Sequence, residues 1–267
     1  MTYKALILPL INYACPVWYP NCAGGTIDKL QKIQNSALRI ATGCHLKTDI
    51  DHLHRECHLL KVKDHLDLLC AQFLLSTLRQ RHPSHEIVRA MPVRESRQES
   101  ANFKPNHTLH SRFKQKVMPF LVDNVVPEQN YKVALKTLHT AAVQSAVTNS
   151  EPNKVILGQV PEINPNEADL PRPARSALSQ LRSGYSIRLN SYRRLIGVSD
   201  TDLCPECRAS PHTTNHIFSC AAKPTTLRPL DLWTRPKEVI AHLVNLGPFS
   251  DIPPAYPPAL PPPSAPT

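Results

Sequence analysis

Cys204-Pro205-Glu206-Cys207, followed by His216 and Cys220, decides how this chain is read. Two thiols two residues apart ligate one metal from a tight turn, and Pro205 helps to set that turn. His216 and Cys220 stand four residues apart, so one helical turn brings them to the same side. The eight residues between the two pairs, Pro211 among them, leave enough slack to close a site. Three thiolates and an imidazole are a tetrahedral structural zinc set, closed to substrate because protein ligands fill all four positions. His212 competes for the fourth place, but its loop back to Cys207 is tighter, which favours His216. The bland alternative is a pair of buried free cysteines beside an unrelated histidine, and this spacing has little other use in a reduced protein.

The 267 residues carry a formal net charge of +10, with a pI near 9.3, so anionic partners come first: nucleic acid, then an acidic membrane surface. Residues 1–120 hold seventeen lysines and arginines against nine acids, and residues 171–199 hold six arginines and no acid. With 7 glycines and few aromatics, a large β sandwich and a glycine-rich phosphate loop are both disfavoured. Cys15, Cys22, Cys44, Cys57 and Cys70 are scattered through apolar or helical contexts and form no disulfide framework. No signal peptide is recognisable, and no run approaches the roughly twenty apolar residues of a membrane span. A reducing intracellular compartment, nuclear or cytoplasmic, is the expectation.

Tyr3, Leu6, Ile7, Leu10, Ile11 and Ala14 repeat at helical spacing, which predicts a helix kinked at Pro9. A chain that begins on a buried helix reads as a piece of something longer. Thr26 is a candidate N-cap for a helix with Leu30, Ile33, Ala37, Leu38 and Ala41 inward, ending at Gly43; Lys29, Lys32 and Arg39 lie off that stripe. Helices follow from about Asp51 and Asp64, the second with Leu66, Leu69, Cys70, Phe73, Leu74 and Leu78 inward. The histidines between Cys44 and His65 suggest a second metal site, but only His54 and His58 form a one-turn pair, so helix-surface histidines are the better reading. Tyr131 to Val147 has helical periodicity, and the proline-rich run after Ser150 reads as a linker. Leu178, Leu181, Tyr185, Leu189, Tyr192 and Leu195 then lead to the zinc turn, with Arg175, Arg182 and Arg193 along one edge. Such a row suits phosphate contact, or it merely solubilises the helix.

Several of these pieces resemble one family. Tyr3-Lys4-Ala5-Leu6-Ile7 with Pro9-Leu10-Ile11-Asn12-Tyr13-Ala14 and Val17-Trp18 resembles the segment after the palm in reverse transcriptases of non-LTR retrotransposons, of the jockey-like kind. Leu30-Gln31, Gln34-Asn35, Ala37-Leu38-Arg39 and Thr42-Gly43 are similar to that family's thumb helix. Leu181-Arg182-Ser183-Gly184, Ile196-Gly197 and the Cys/His run resemble its C-terminal zinc knuckle. The resemblance implies a thumb that grips a template–primer duplex and a knuckle that binds RNA or target DNA. The catalytic palm is the departure: no Asp-Asp pair occurs in the sequence.

The expectation is therefore a mainly α chain. A helical, thumb-like bundle spans 1–120, a helix and proline-rich linker 121–171, an arginine-rich helix with a CCHC zinc knuckle 172–247, and a disordered proline-rich tail 248–267. No catalytic residue is expected. Structural Zn2+ is assigned to Cys204, Cys207, His216 and Cys220. RNA or DNA is assigned, through phosphates, to Lys29, Lys32 and Arg39 on one surface and Arg175, Arg182 and Arg193 on another, with Ile217 or Phe218 touching unpaired bases. The second reading is a zinc-stabilised protein-interaction module in which Trp233 and the proline tail meet protein partners.

Overall fold

The computed structural model describes residues 3–91, 93–94 and 109–252, and they are mainly helical. A π-helix over Tyr3–Ile7 runs into α1 (Leu8–Asn12), then come α2 (Cys15–Trp18), α3 (Gly24–Thr42), α4 (Ile50–Cys57), α5 (Val62–Thr77) and α6 (His85–Ala90). A parallel pair of two-residue strands, β1 (Val93–Arg94) and β2 (Leu109–His110), precedes α7 (Ser111–Val117) and α8 (Tyr131–Thr148). The remainder is α9 (Arg172–Ser183), α10 (Asn190–Leu195), α11 (Thr214–Ile217), α12 (Asp231–Thr234) and α13 (Pro236–Leu243).

The chain divides into two compact units whose borders do not follow the composition of the sequence. One holds residues 1–37 and 59–150; the other holds 38–58 with 151–267, so the border falls inside α3.

In the first unit α5 is the central helix. Leu66, Ala71 and Leu75 are fully buried and Val62, Leu68, Cys70 and Leu74 nearly so, because apolar residues occupy most of its circumference. It packs on α2, α7 and α8, burying Cys15, Phe113, Val117, Ala134 and Leu138 around it. Phe73, expected inward, is 51% exposed, and Leu68 and Leu75 take the interior instead. Tyr19 donates its hydroxyl to the buried Asp67 carboxylate at 2.8 Å. Two glutamines of α3 fix it to the start of α5: Gln31 accepts from the Val62 amide at 2.8 Å, and Gln34 donates to the Leu60 carbonyl at 3.2 Å. The helix expected over the first residues does form, but as a π-turn ahead of Pro9. It buries Tyr3 and Ile11 while Leu6 and Leu10 face outward.

The second unit is built around α9. Ala174, Leu178 and Leu181 face a core shared with Leu189, Leu232, Trp233, Val239, Ile240, Leu243 and Phe249. Gly184 ends α9 in the left-handed conformation, φ 75°, which glycine enters without Cβ strain. The stretch 151–171, read as a linker, is folded onto this core. Asn153 accepts from the Val155 and Ile156 amides while donating to the Arg182 carbonyl, Leu170 is buried, and the Asn164 amide donates to the Trp233 carbonyl. Short side-chain-to-backbone bonds of this kind let a proline-rich segment satisfy its polar groups without helix or sheet. Residues 248–252 also depart from the tail reading, since Phe249 and Ile252 are buried in the same core. The rest of the proline-rich tail, 253–267, lies outside the described residues, as does 95–108 of the basic stretch.

Candidate metal centre

Cys204 and Cys207 sit on a backbone turn that the sequence around them makes. Leu203 and Pro211 form an antiparallel bridge, the Cys204 amide donates to the Ser210 carbonyl at 2.8 Å, and the Arg208 amide returns to the Cys204 carbonyl at 2.9 Å. Arg208 takes a left-handed φ of 55°, which closes the turn. The turn aims backbone N–H groups at sulfur: Ala209 and Ser210 at Cys207, Cys207 and Glu206 at Cys204. The opposite pair comes from α11, which carries His216, and the turn that follows it, which leads to Cys220. Thr213 caps α11, accepting the His216 amide on its hydroxyl, and one turn later Cys220 completes the set.

The four ligand atoms lie within 4.8 Å of one another. Cys204 Sγ is 3.9 Å from Cys220 Sγ, and Cys207 Sγ is 3.3 Å from His216 Nε2. A tetrahedral zinc with bonds of about 2.3 Å to sulfur and 2.0–2.1 Å to nitrogen has edges of about 3.8 Å (S···S) and 3.6 Å (S···N), so these two separations match such a shell to within a few tenths of an ångström. Amides aimed at Cys207, that of Ala209 foremost, bring its thiol down to about 6, so it is a thiolate at neutral pH. Burial pushes the Cys204 thiol up. A dication bound by the four residues would offset that cost, because metal ligation deprotonates a coordinating thiol.

His212 lies outside this cluster. It is buried, its Nδ1 accepts from the Asn190 amide at 3.2 Å and its carbonyl accepts from the Ser191 hydroxyl at 2.8 Å, so it ties α10 to the metal turn. Burial lowers its ring to about 4, which keeps it neutral and able to accept that bond. Among the described residues no second Cys/His group gathers. His52 and His54, expected on a helix surface, are buried. His52 Nε2 meets the Ser179 carbonyl at 3.0 Å, His65 Nε2 meets Asn12 at 2.9 Å, and His45 stacks on Tyr192.

The residues assigned to nucleic acid scatter. Lys29 and Lys32 are exposed on α3; Arg39 is half-buried on the same helix, with Nη2 directed at the Leu46 carbonyl. Arg175 and Arg193 are exposed. Arg182 is not on their edge: it is fully buried, forms ion pairs with Glu56 and Glu167, donates from Nε to the Leu232 carbonyl at 3.1 Å, and lies 5.6 Å from the Trp233 ring centroid. Burial opposes its charge, but the two carboxylates prevail and hold the guanidinium above its ordinary pKa. Ile217 and Phe218 are core residues, so they present no face to bases, and Trp233 is 1% exposed and therefore no docking side chain. The sequence reading missed Glu56 and Glu167 as partners of Arg182. The only available sign was an acid one helical turn after His52 in a histidine-rich segment.

No protein-family model, curated protein or solved structure matches this chain.

Proposed function

We propose that this chain is a non-catalytic, zinc-stabilised nucleic-acid-binding protein, related to the thumb and zinc-knuckle end of a jockey-like non-LTR retrotransposon reverse transcriptase. The observation that carries the reading is the Cys204, Cys207, His216, Cys220 cluster, whose four ligand atoms converge to within 4.8 Å of one another, with two separations close to those of a zinc tetrahedron. With all four positions supplied by protein, such a metal holds a fold and activates no water. The net charge of +10 supports an anionic partner, and the motif resemblance supports RNA or DNA as that anion. Contact is through phosphates, because the exposed candidates are lysines and arginines rather than base-reading amides.

The test is binding of the zinc-loaded chain to RNA and DNA across a salt series. A log–log affinity plot that falls steeply with salt supports the reading; no binding at low salt overturns it. The second reading, a protein-interaction module, draws on Leu6, Leu10, Tyr13 and Val17, which are 63%, 76%, 80% and 73% exposed near the start of the chain. Salt-insensitive capture of a protein partner by that segment, without nucleic-acid binding, is its signature.

A further inference from the structure

We infer that the apolar outer face of the first helical segments, carried by Leu6, Leu10, Tyr13 and Val17, is the surface on which two copies of this chain associate. The inference stands whether or not the chain binds nucleic acid.

The π-helix, α1 and α2 are apolar on two sides. Tyr3, Ile11, Cys15 and Tyr19 are buried, the last three in the core around α5. The outward side repeats at Leu6, Leu10, Tyr13 and Val17, at spacings of four, three and four, and all four are exposed. Residues three and four apart are neighbours on a helix surface. Tyr13 still belongs to that side, because its amide bonds to the Pro9 carbonyl at 2.9 Å and continues the helical turn. Ala14 then bends the backbone with a left-handed φ of 48°. The Trp18 indole donates to the Tyr13 carbonyl at 2.9 Å, which ties α2, and Val17 with it, to the end of α1. A helix apolar all round is one that other structure covers on every side.

Area and charge point to a second copy as the occupant. With the part-exposed Ile7, these side chains leave roughly 600 Å² open, the upper end of what a monomer shows as one apolar patch. Two such faces pressed together would remove about 1,200 Å² from water, the lower end of specific protein interfaces. Residues 1–27 contain a single charged residue, Lys4, in a chain of 31 lysines and arginines against 21 acids. Two copies of so basic a chain repel one another through their cationic surfaces and meet at least cost where the surface is uncharged. A two-fold pairing also needs a face that complements itself, and aliphatic side chains around a tyrosine ring do so. Acidic lipid fits the same face less well, because an interfacial helix is anchored by a basic polar side and this run supplies Lys4 alone.

The experiment is sedimentation equilibrium of the full chain, purified without chelator and kept reduced, from about 1 to 200 µM at about 0.1 and 0.5 M salt. The expected result is a monomer–dimer equilibrium with a dissociation constant on the order of 10 µM, as tight or tighter at the higher salt because screening relieves repulsion between basic copies. Leu6→Ser/Leu10→Ser and, separately, Tyr13→Ser/Val17→Ser, each checked by circular dichroism, should weaken it on the order of 100-fold. Leu46→Ser/Leu157→Ser, which removes two exposed leucines from the other unit, should leave it unchanged. A wild-type chain that stays monomeric at the top of the concentration range overturns the inference. So does a dimer that a folded face variant keeps, or that the control variant loses equally. A monomer that instead binds phosphatidylcholine–phosphatidylserine vesicles, and loses that binding in the face variants, gives the face to lipid and overturns it likewise.

Discussion

Nη1 of Arg182 donates to Oε2 of Glu56 at 3.1 Å, although 126 residues separate them in the chain. Arg182 lies on α9 and Glu56 on α4, so this bond, with the ion pair to Glu167, gathers three separate segments onto one core. It is one reason why 38–58 belongs with the metal-bearing unit and not with the helices around it in sequence. Removing the arginine strands two carboxylates in a site with little water. Arg182→Ala is expected to destabilise this unit by about 3–5 kcal/mol, whereas adding Glu56→Gln and Glu167→Gln recovers most of the loss, because cost comes chiefly from an uncompensated buried charge. Urea unfolding with zinc in excess measures both. A loss below about 1 kcal/mol for the single variant contradicts the clamp.

Gly43 ends α3 with φ 72°, and a Cβ built there would stand 2.8 Å from Ser176 Oγ and 2.9 Å from its Cβ. Gly43→Ala combines a left-handed backbone with a contact that closes α3 onto α9, and is expected to cost on the order of 1–3 kcal/mol. Gly184→Ala meets only a Val155 methyl at 3.6 Å and pays the conformational penalty alone, about 1 kcal/mol. Thermal melts of the two variants should rank Gly43→Ala as the more damaging; the reverse order contradicts the close approach.

Much of this was legible in the sequence, and the failures have physical causes. The metal set was readable because coordination fixes residue type and spacing together. The end of α3 at Gly43 was readable because the left-handed cap is a local demand. Arg182 was misplaced because helical periodicity gives its angle on α9 but says nothing of acids far away in the chain that lower the cost of burying it. Residues 151–171 read as a linker because proline and polar composition normally marks solvent; the side-chain bonds of Asn153 and Asn164 to distant carbonyls carry no periodic signal.

Burial lowers the pKa of His45, His52 and His65 from the ordinary 6.5. The folded chain keeps these rings neutral, while the unfolded chain protonates them near pH 6.5, so unfolding takes up protons below that value. Stability is expected to be fully present above pH 6.5 and to fall on acidification, each ring contributing at most about 1.4 kcal/mol per pH unit until its own folded pKa is passed. Urea midpoints measured from pH 7.5 down to 5 with zinc in excess throughout, so that the unit holding His45 and His52 stays folded, should decrease. A flat profile contradicts the neutral buried rings.

Ligation by His216 rather than His212 separates two variants. His212→Ala removes the acceptor of the Asn190 amide and should weaken the fold while leaving zinc stoichiometry intact. His216→Ala removes a ligand and should lower zinc affinity steeply. Equal zinc loss in both would put the assignment in doubt.

Chelation should unfold the metal-bearing unit first, because Ile217 and Phe218 of the ligand-bearing segment are part of its core, and spare α5 and its neighbours, whose core contains no ligand. Hydrogen exchange that rises around 200–225 while α5 stays protected supports this; uniform loss of protection does not.

The central claim is a zinc ion held by three sulfurs and one nitrogen, and X-ray absorption at the zinc edge on chain purified without chelator tests it most directly. One zinc per chain is expected, with three sulfurs near 2.3 Å and one nitrogen near 2.0–2.1 Å, falling to two sulfurs or to no bound metal in Cys220→Ser. Chain that retains no zinc, or zinc with an oxygen-dominated shell, would contradict it.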